Sequence, residues 1–526
     1  MAPATSAALR PGPGAQGARR AVAAMDAAQA AQGHMGEDLG TDLLVGLPET
    51  DGQVEGGEGH AKPTRAGPLA RQMWNSARRG NRSEEVWARF SKRVMRTSTL
   101  INAGDVALMF FAFARIKYKD IKALDALSPF ILRHIEDFST TELVLLLNAH
   151  KKLEYERLDS VRLLLESICA RSGEWTGRHL ALSANAVAYF YIYQHKFWRL
   201  VDKACHTLLW TMNPLELSNL VSALARIDRR EPLTLRRIAR MCRRCASRNL
   251  FSQETLATSM NAFAKLDFNH PKLAKVFEDA AVVKLDCALS LGPDYRKSSL
   301  RDMDVFDVQA LVLVLHTLAC LVGTSDEILE KLLTLVAWSS NEVGNYQRRL
   351  LKLTMIVLRG QHRDLWRRLK PEVKEAFYLF QKVPVAVTTN ESRWMVEVRY
   401  TLKKMNIQCE LSSVVDDQVL DVLLPTSKAV VYAVGPYGFY ADSSRRTAYS
   451  KLHERLLEME GYKCMVVPYY EWAELKTEED KMVYLWSLGR RAAARNRGQP
   501  DAAAAPADLA EEFQSDLQSD LSEMSA

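Results

Sequence analysis

The feature that most constrains this chain is a pattern recurring at intervals of about 37 residues. The segments FAFARI (111–116), NAHKKL (148–153), SALARI (222–227) and NAFAKL (261–266) each carry an alanine, a basic residue three places on, and then an aliphatic. The instances are Ala112/Arg115/Ile116, Ala149/Lys152/Leu153, Ala223/Arg226/Ile227 and Ala262/Lys265/Leu266. A weaker copy without the basic residue lies near Tyr189 to Tyr193. With ends at 116, 153, about 193, 227 and 266, the separations are roughly 37, 40, 34 and 39 residues. A period of that length with two helices per unit specifies an α-solenoid, in which each hairpin buries its face only against its neighbours. The small residue lets two helices approach closely, and the basic residue complements the negative carbonyl end of its helix. The alternative is a non-repetitive helical bundle.

Apolar residues keep helical spacing from about 82 to 380. Val106, Met109, Phe110 and Phe113 make one face, Leu143, Leu146 and Leu147 another, and Val161, Leu164, Leu165 and Ile168 a third. Asn213-Pro214 and His270-Pro271 fall between periodic segments, where helices are joined. Further hairpins are expected around 304–336 and 348–360, with the phase blurred by an insertion near 289–301. No stretch reaches the ~18–20 uninterrupted apolar residues of a spanning helix. The nearest, 308–322, carries Gln309 and His316 and reads as one buried repeat helix.

The flanks have another composition. Residues 1–25 contain no acidic residue, while Arg10, Arg19 and Arg20 sit among many alanines, as in a transit peptide drawn to an organelle. Sparse serine and threonine favour mitochondrion over plastid. Residues 26–81, rich in Ala, Gly and acidic residues with Trp74 as the one aromatic, are expected to be disordered, so that 1–81 forms a targeting and low-complexity region. Residues 491–526, Ala-rich and then acidic, are expected to form a tail.

From Ala386 the pattern changes. Residues 390–405 read as a helix, 419–424 and 429–434 as short strands, 443–460 as a long helix and 464–467 as a third strand. Four ordered segments here resemble the RAP domain: LDVLLP (420–425), AVVYAVGPYGF (429–439), ERLLEMEGY (454–462) and VVPYYEW (466–472). The residues that carry the likeness are Asp421, Gly435, Pro436, Phe439, Gly461, Tyr462, Pro468, Tyr469 and Trp472, within 386–490. The resemblance implies a small α/β domain similar to restriction-endonuclease-like nucleases, placed after helical repeats. It also implies a role in RNA processing, RNA stabilisation or ribosome biogenesis in mitochondria or plastids. The expected fold is therefore mainly α, an α-solenoid followed by a RAP-like α/β domain.

The likeness to nucleases raises hydrolysis. Such enzymes bind a divalent metal between an Asp on one strand and a Glu on the next. Asp421 fits the first place, but Tyr432 stands where the family commonly has Glu, Val434 where it has Asp, and Gly438 where it has His. A lone carboxylate holds Mg²⁺ poorly, so no catalytic residue, metal or cofactor is expected.

Charge points instead to binding. The net charge of +7 is mild for 526 residues, so its distribution matters more than its sum. Residues 226–248 hold Arg226, Arg229, Arg230, Arg236, Arg237, Arg240, Arg243, Arg244 and Arg248, opposed only by Asp228 and Glu231. Arg236, Arg240, Arg243 and Arg244 fall on one helical stripe suited to phosphate oxygens. Neutralising ~6 phosphates of a single strand would give a log K versus log salt slope of roughly −4.

Cys242 and Cys245 make a lone CxxC, read with the other scattered cysteines as buried thiols. Tyr189, Phe190, Tyr191, Tyr193, Phe197 and Trp198 read as core, with base stacking the alternative. Tyr437 and Tyr440 are taken as RNA contacts at strand ends, where core and binding roles stay equally open. The expected partner is organellar rRNA or mRNA, with ribosomal proteins as further partners. A metal-dependent RNA endonuclease using Asp421 and a protein-binding scaffold are the competing readings.

Overall fold

A computed structural model describes residues 67–97, 101–293, 295, 305–382, 393–415 and 418–495. The expectations for residues 1–66 and for most of the C-terminal tail lie outside them. The described chain is mainly helical, with one small sheet near its C-terminal end. Among the described residues, no helix is long and apolar enough to cross a membrane.

The helical unit runs through α1 (Pro68–Arg78), α2 (Glu84–Thr97), α3 (Ala103–Ile116), α4 (Ile121–Arg133), α5 (Thr140–Lys152), α6 (Leu158–Ala170), α7 (Gly177–Tyr189) and α8 (His195–Leu208). It continues with α9 (Pro214–Arg226), α10 (Pro232–Ala246), α11 (Gln253–Lys265), α12 (Pro271–Ser290), α13 (Val308–His316), α14 (Asp326–Trp338), α15 (Asn345–Gln361), α16 (Arg363–Arg368) and α17 (Pro371–Lys382). The odd-numbered helices from α1 to α15 pack in succession as a first layer, and the even-numbered ones from α8 to α14 as a second, which also pairs α3's partner α4 with α2 and α6. Each helix thus touches the next of its layer and its own hairpin partner, as a solenoid requires.

The repeat is written at both ends of the first-layer helices. Asn102, Ser139, Thr176 and Asn213 each form a capping box with the residue three places on, and Ser252 caps α11. These starts are 37, 37, 37 and 39 residues apart. Beyond the helix ends, Lys117, Glu154, Tyr191, Asp228 and Asp267 adopt positive φ at the same spacing. The weak copy therefore ends at Phe190, not Tyr193, with Tyr189 in the place of the basic residue, and the ends 116, 153, 190, 227 and 266 stand 37, 37, 37 and 39 residues apart. At the recurring small position, Ala112, Ala149, Ala186, Ala223 and Ala262 are all buried, bringing neighbouring helices close. The 308–322 stretch is buried as expected, but its second half, Thr317–Val322, widens into a π turn.

The helices begin at Pro68, ahead of the boundary expected at 82. Pro68 fits the first turn, and Leu69, Ala70, Met73 and Ala77 are buried, with α1 packed on α3. A low-complexity composition masked this short amphipathic run.

The α/β unit contains α18 (Arg393–Lys404), β1 (Glu410–Val415), β2 (Gln418–Leu424), β3 (Ala429–Val434), β4 (Lys463–Pro468), α20 (Tyr469–Glu474) and α21 (Glu478–Arg495), with α19 (Ala448–Met459) between β3 and β4. The sheet order is β1-β2-β3-β4; the first three strands are antiparallel and β3–β4 is parallel. Val422, Leu424, Val431 and Val467 bury one face with Val398, Leu402, Trp472 and Leu485, and Leu420, Val430 and Cys464 bury the other with Leu457. Strand β1 was not anticipated. Its Ser412-Ser413 centre, with Ser412 at φ 52°, breaks the alternation that marks a strand.

The crossover into α19 does not belong to this unit. Gly438–Leu452 packs with the helical repeats. The Tyr440 hydroxyl donates to the Lys265 carbonyl at 2.7 Å and the Ala441 amide to the Asp228 carbonyl at 2.7 Å. Arg445 and Lys451 both reach the Asp267 carboxylate at 2.7 Å, and Tyr193 donates to Asp442 at 2.5 Å. The helix expected from 443 therefore starts at Ala448, because the preceding residues form this anchored turn.

Candidate nucleic-acid interface

The first-layer helices bury most of their surface, leaving one stripe at positions i, i+4, i+7 and i+11. On α9 these are Leu215, Asn219, Ser222 and Arg226, and on α11 they are Glu254, Thr258, Asn261 and Lys265, none of them buried. The register carries the same positions from helix to helix. Arg115, Lys152, Tyr189, Arg226 and Lys265 form the last row, at the carbonyl ends of α3, α5, α7, α9 and α11. One turn earlier, Asn148, Asn185, Ser222 and Asn261 occupy one register position on consecutive helices, Asn148 buried and the other three half-buried.

Hydrogen bonds join these rows. Lys151 Nζ donates to Asn185 Oδ1 at 3.2 Å, and Asn185 Nδ2 donates to Asn219 Oδ1 at 2.7 Å, linking α5, α7 and α9. Thr317 donates to Asn261 at 3.3 Å. The Arg226 guanidinium lies 5.9 Å from the Tyr189 ring, and that of Arg115 lies 5.9 Å from the Trp74 ring while its Nε donates to the Ala77 carbonyl at 3.2 Å.

The cations are close enough to resist one another. Burial, then Arg226 and Lys152, lower the Lys151 ammonium to about 7. Burial, then Arg115 and Lys117, lower Lys152. A row of cations that perturb one another is relieved by an anion laid along it. The asparagines supply both donors and acceptors, so the face can bind phosphate and hydrogen-bond base edges.

The arginines expected to act together are divided by the fold. Arg226 is exposed in the cationic row. Arg229 is an internal brace, not an RNA contact: its Nη2 binds Asp202 at 2.5 Å and its Nη1 binds Tyr193 at 3.2 Å. Arg230 donates to the Leu266 carbonyl at 3.1 Å, closing the turn to the next repeat. Arg236, Arg237, Arg240, Arg243 and Arg244 lie on α10, in the second layer, with Arg240, Arg244 and the following Arg248 exposed and the others half-buried. Arg237 also contacts His206. Helical periodicity placed the stripe correctly but could not assign its layer.

Tyr440, expected as an RNA contact, is instead buried at 2% exposure, its hydroxyl donating to the Lys265 carbonyl and accepting the Ala448 amide. Tyr437, in the α/β unit, is exposed. Phe190, Phe197, Trp198, Cys242 and Cys245 are core residues.

The motif residues of the α/β unit mostly hold the fold. Asp421 Oδ2 accepts the Ala433 amide at 2.8 Å where β2 and β3 part; burial raises its carboxyl to about 6 despite that bond. Tyr432 packs on His453 with ring centroids 4.8 Å apart. Gly435 and Pro436 lead out of β3, and Phe439 is buried. Gly461 takes φ +84° after α19, and the Tyr462 ring lies 5.2 Å from the Lys428 ammonium. Pro468 ends β4 and opens α20, where Tyr469 is exposed and Trp472 is buried, donating to Glu397 at 3.4 Å.

A two-layer array of helical hairpins joined to a small α/β unit defines the class. Residues 432–488 match the RAP domain family, and residues 72–271 match the family described as RNA-editing substrate-binding complex 6 protein. The chain is a RAP-domain protein with helical repeats. The RAP match starts at Tyr432, so Asp421 falls outside it. No curated protein matches the chain.

Proposed function

We propose that this chain is a non-catalytic RNA-binding protein that holds a single strand along the first-layer helices, in RNA processing or editing within an organelle. One observation carries the reading. The whole cationic row, Arg115 to Lys265, lies inside residues 72–271, which match a family named for binding RNA-editing substrate. The row offers cations and amides repeated helix by helix, which suits a flexible polyanion.

Binding without cleavage fits the α/β unit. Asp421 is held by a backbone amide with its carboxyl raised toward neutrality, and Tyr432 occupies the place of a second acidic ligand. Mitochondrion is the favoured compartment, given the acid-free, Arg-bearing first 25 residues. Ribosomal RNA of an organellar ribosome is the second class of target. Crosslinking the tagged protein in isolated organelles and sequencing the attached RNA tests this. Enrichment of messenger or edited transcripts supports the processing role, and dominant ribosomal RNA would move it to the ribosome. No enrichment over an untagged control would overturn RNA binding.

A further inference from the structure

The α/β unit exposes an apolar strip that its own core does not need. Val396 and Tyr400 on α18 are 43% and 57% exposed, and Val483 and Trp486 on α21 are 66% and 60% exposed. Each pair is spaced to share one helical face. The helices pack side by side and antiparallel, since Glu397 pairs with Lys481 at 3.3 Å while Lys404 pairs with Glu478. The strip has basic borders: the Lys404 ammonium lies 4.7 Å from the Tyr400 ring, the Arg490 guanidinium lies 4.9 Å from the Trp486 ring, and Lys403 and Arg491 are exposed beside them. Of its acidic groups, Glu478, Glu479 and Asp480 gather at one end, in the first turn of α21, while Glu397 on α18 is held by Lys481 and Trp472.

A segment of this chain has the complementary chemistry. Residues 508–524, outside the described residues, place Leu509, Phe513, Leu517, Leu521 and Met524 at the spacing of one helical stripe. Between them stand Asp508, Glu511, Glu512, Asp516, Asp520 and Glu523, and no lysine or arginine follows Arg497. We propose that this acidic, apolar-striped segment folds back and covers the Val396–Tyr400–Val483–Trp486 strip.

Reach and tethering favour it. Residues 496–507 join the segment to α21 and extend to roughly 40 Å, against roughly 27 Å for the length of that helix. A tether this short gives an effective concentration on the order of millimolar, so a weak contact suffices. The aromatic rings meet Leu and Phe side chains, and the acidic residues meet the Lys403, Lys404, Arg490 and Arg491 borders. Covering the strip also removes an exposed apolar patch of the kind that otherwise drives association.

Hydrogen exchange of the full chain is compared with a chain ending at residue 507 and with the full-length Phe513→Asp/Leu517→Asp variant. Both changes lie outside the described residues. Peptides spanning 393–404 and 483–491 should exchange about tenfold faster in both variants, with other peptides unchanged. A zero-length carbodiimide crosslink should join Lys403 or Lys404 to an acidic residue of 508–523 within the monomer, at a yield independent of protein concentration. Equal exchange in all three proteins would overturn the proposal. Crosslinks confined to dimers would assign the strip to a second copy, and protection appearing only with added RNA would assign it to RNA; either result rejects the segment as occupant.

Discussion

Replacing Arg115, Lys152 and Arg226 with glutamine would remove three of the five cations on the first-layer face, the four of the row (with Lys265) and Lys151 beside Lys152. If each cation meets one phosphate of a single strand, log K falls with log salt at about −0.7 per contact. The wild-type slope is then about −3.5 and that of the triple variant about −1.4. Near ~0.1 M salt the variant should bind roughly a hundredfold more weakly, a loss of about 3 kcal/mol. Glutamine places an amide Nε2 donor where arginine has its Nε, so the Arg115 bond to Ala77 has a substitute. The assay is fluorescence anisotropy of a labelled unstructured RNA across a potassium chloride series. The control replaces Arg236, Arg240, Arg243 and Arg244, the second-layer stripe, and should leave the slope near wild type. If that control flattens the slope while the triple variant keeps it, RNA runs along the opposite layer and the argument from the repeat register fails.

Three further outcomes follow from individual side chains. Lys151, lowered to about 7, should take up a proton as RNA binds. Affinity therefore rises as pH falls from about 9 toward 7 and then levels, whereas Lys151→Gln should give a flatter profile in the same anisotropy assay. Burial raises the Asp267 carboxyl, but Lys451 and Arg445 outweigh it and hold the group below its usual value. Its stabilisation is thus present above pH ~4 and lost below it. Asp267→Asn should cost about 1–3 kcal/mol at neutral pH in urea unfolding, with wild type and variant converging in acid. Asp421, raised to about 6, has the opposite sign: stability falls as pH rises from about 4 to 6, and the penalty stands at neutral pH. Asp421→Asn keeps the acceptor for Ala433 and should gain about 1–2 kcal/mol at pH ~7 but nothing at pH ~4. Mg²⁺-dependent RNA cleavage by the wild type that vanishes in this variant would refute the non-catalytic reading.

The repeat was legible because it rests on short-range rules. An alanine, a cation and an aliphatic at fixed offsets marked the helix ends, and the structure puts those residues at helix ends. The stronger signal lay at the other end, where Asn102, Ser139, Thr176, Asn213 and Ser252 cap successive helices in one register. Counting from those caps ends the weak copy at Phe190 and brings Asn148, Asn185 and Asn261 into one register position. Which helix face meets solvent was not legible. Arg226 and Arg240 are close in sequence and similar in composition, yet hairpin closure assigns them to different layers. Nor could local pattern show that Arg229 would meet Asp202 and Tyr193, or that Tyr440 would be buried against Lys265. These depend on partners 27 to 175 residues away. Strand β1 escaped for a local reason, its paired serines.

The anchoring of Gly438–Leu452 to the repeats has a consequence for the order of synthesis. A solenoid can fold hairpin by hairpin as it emerges, each unit needing only its predecessor. Here Asp228, Lys265 and Asp267 receive their last partners from a segment 175 to 184 residues downstream where Lys265 and Asp267 are concerned, and Tyr193 waits 249 residues for Asp442. At ~5–20 residues per second, the middle hairpins stand for roughly 10–50 s with those groups still meeting water. A chain stopped before residue 438 would keep its array of hairpins and lack the clasp that closes it, and quality control would have time to tell the two apart.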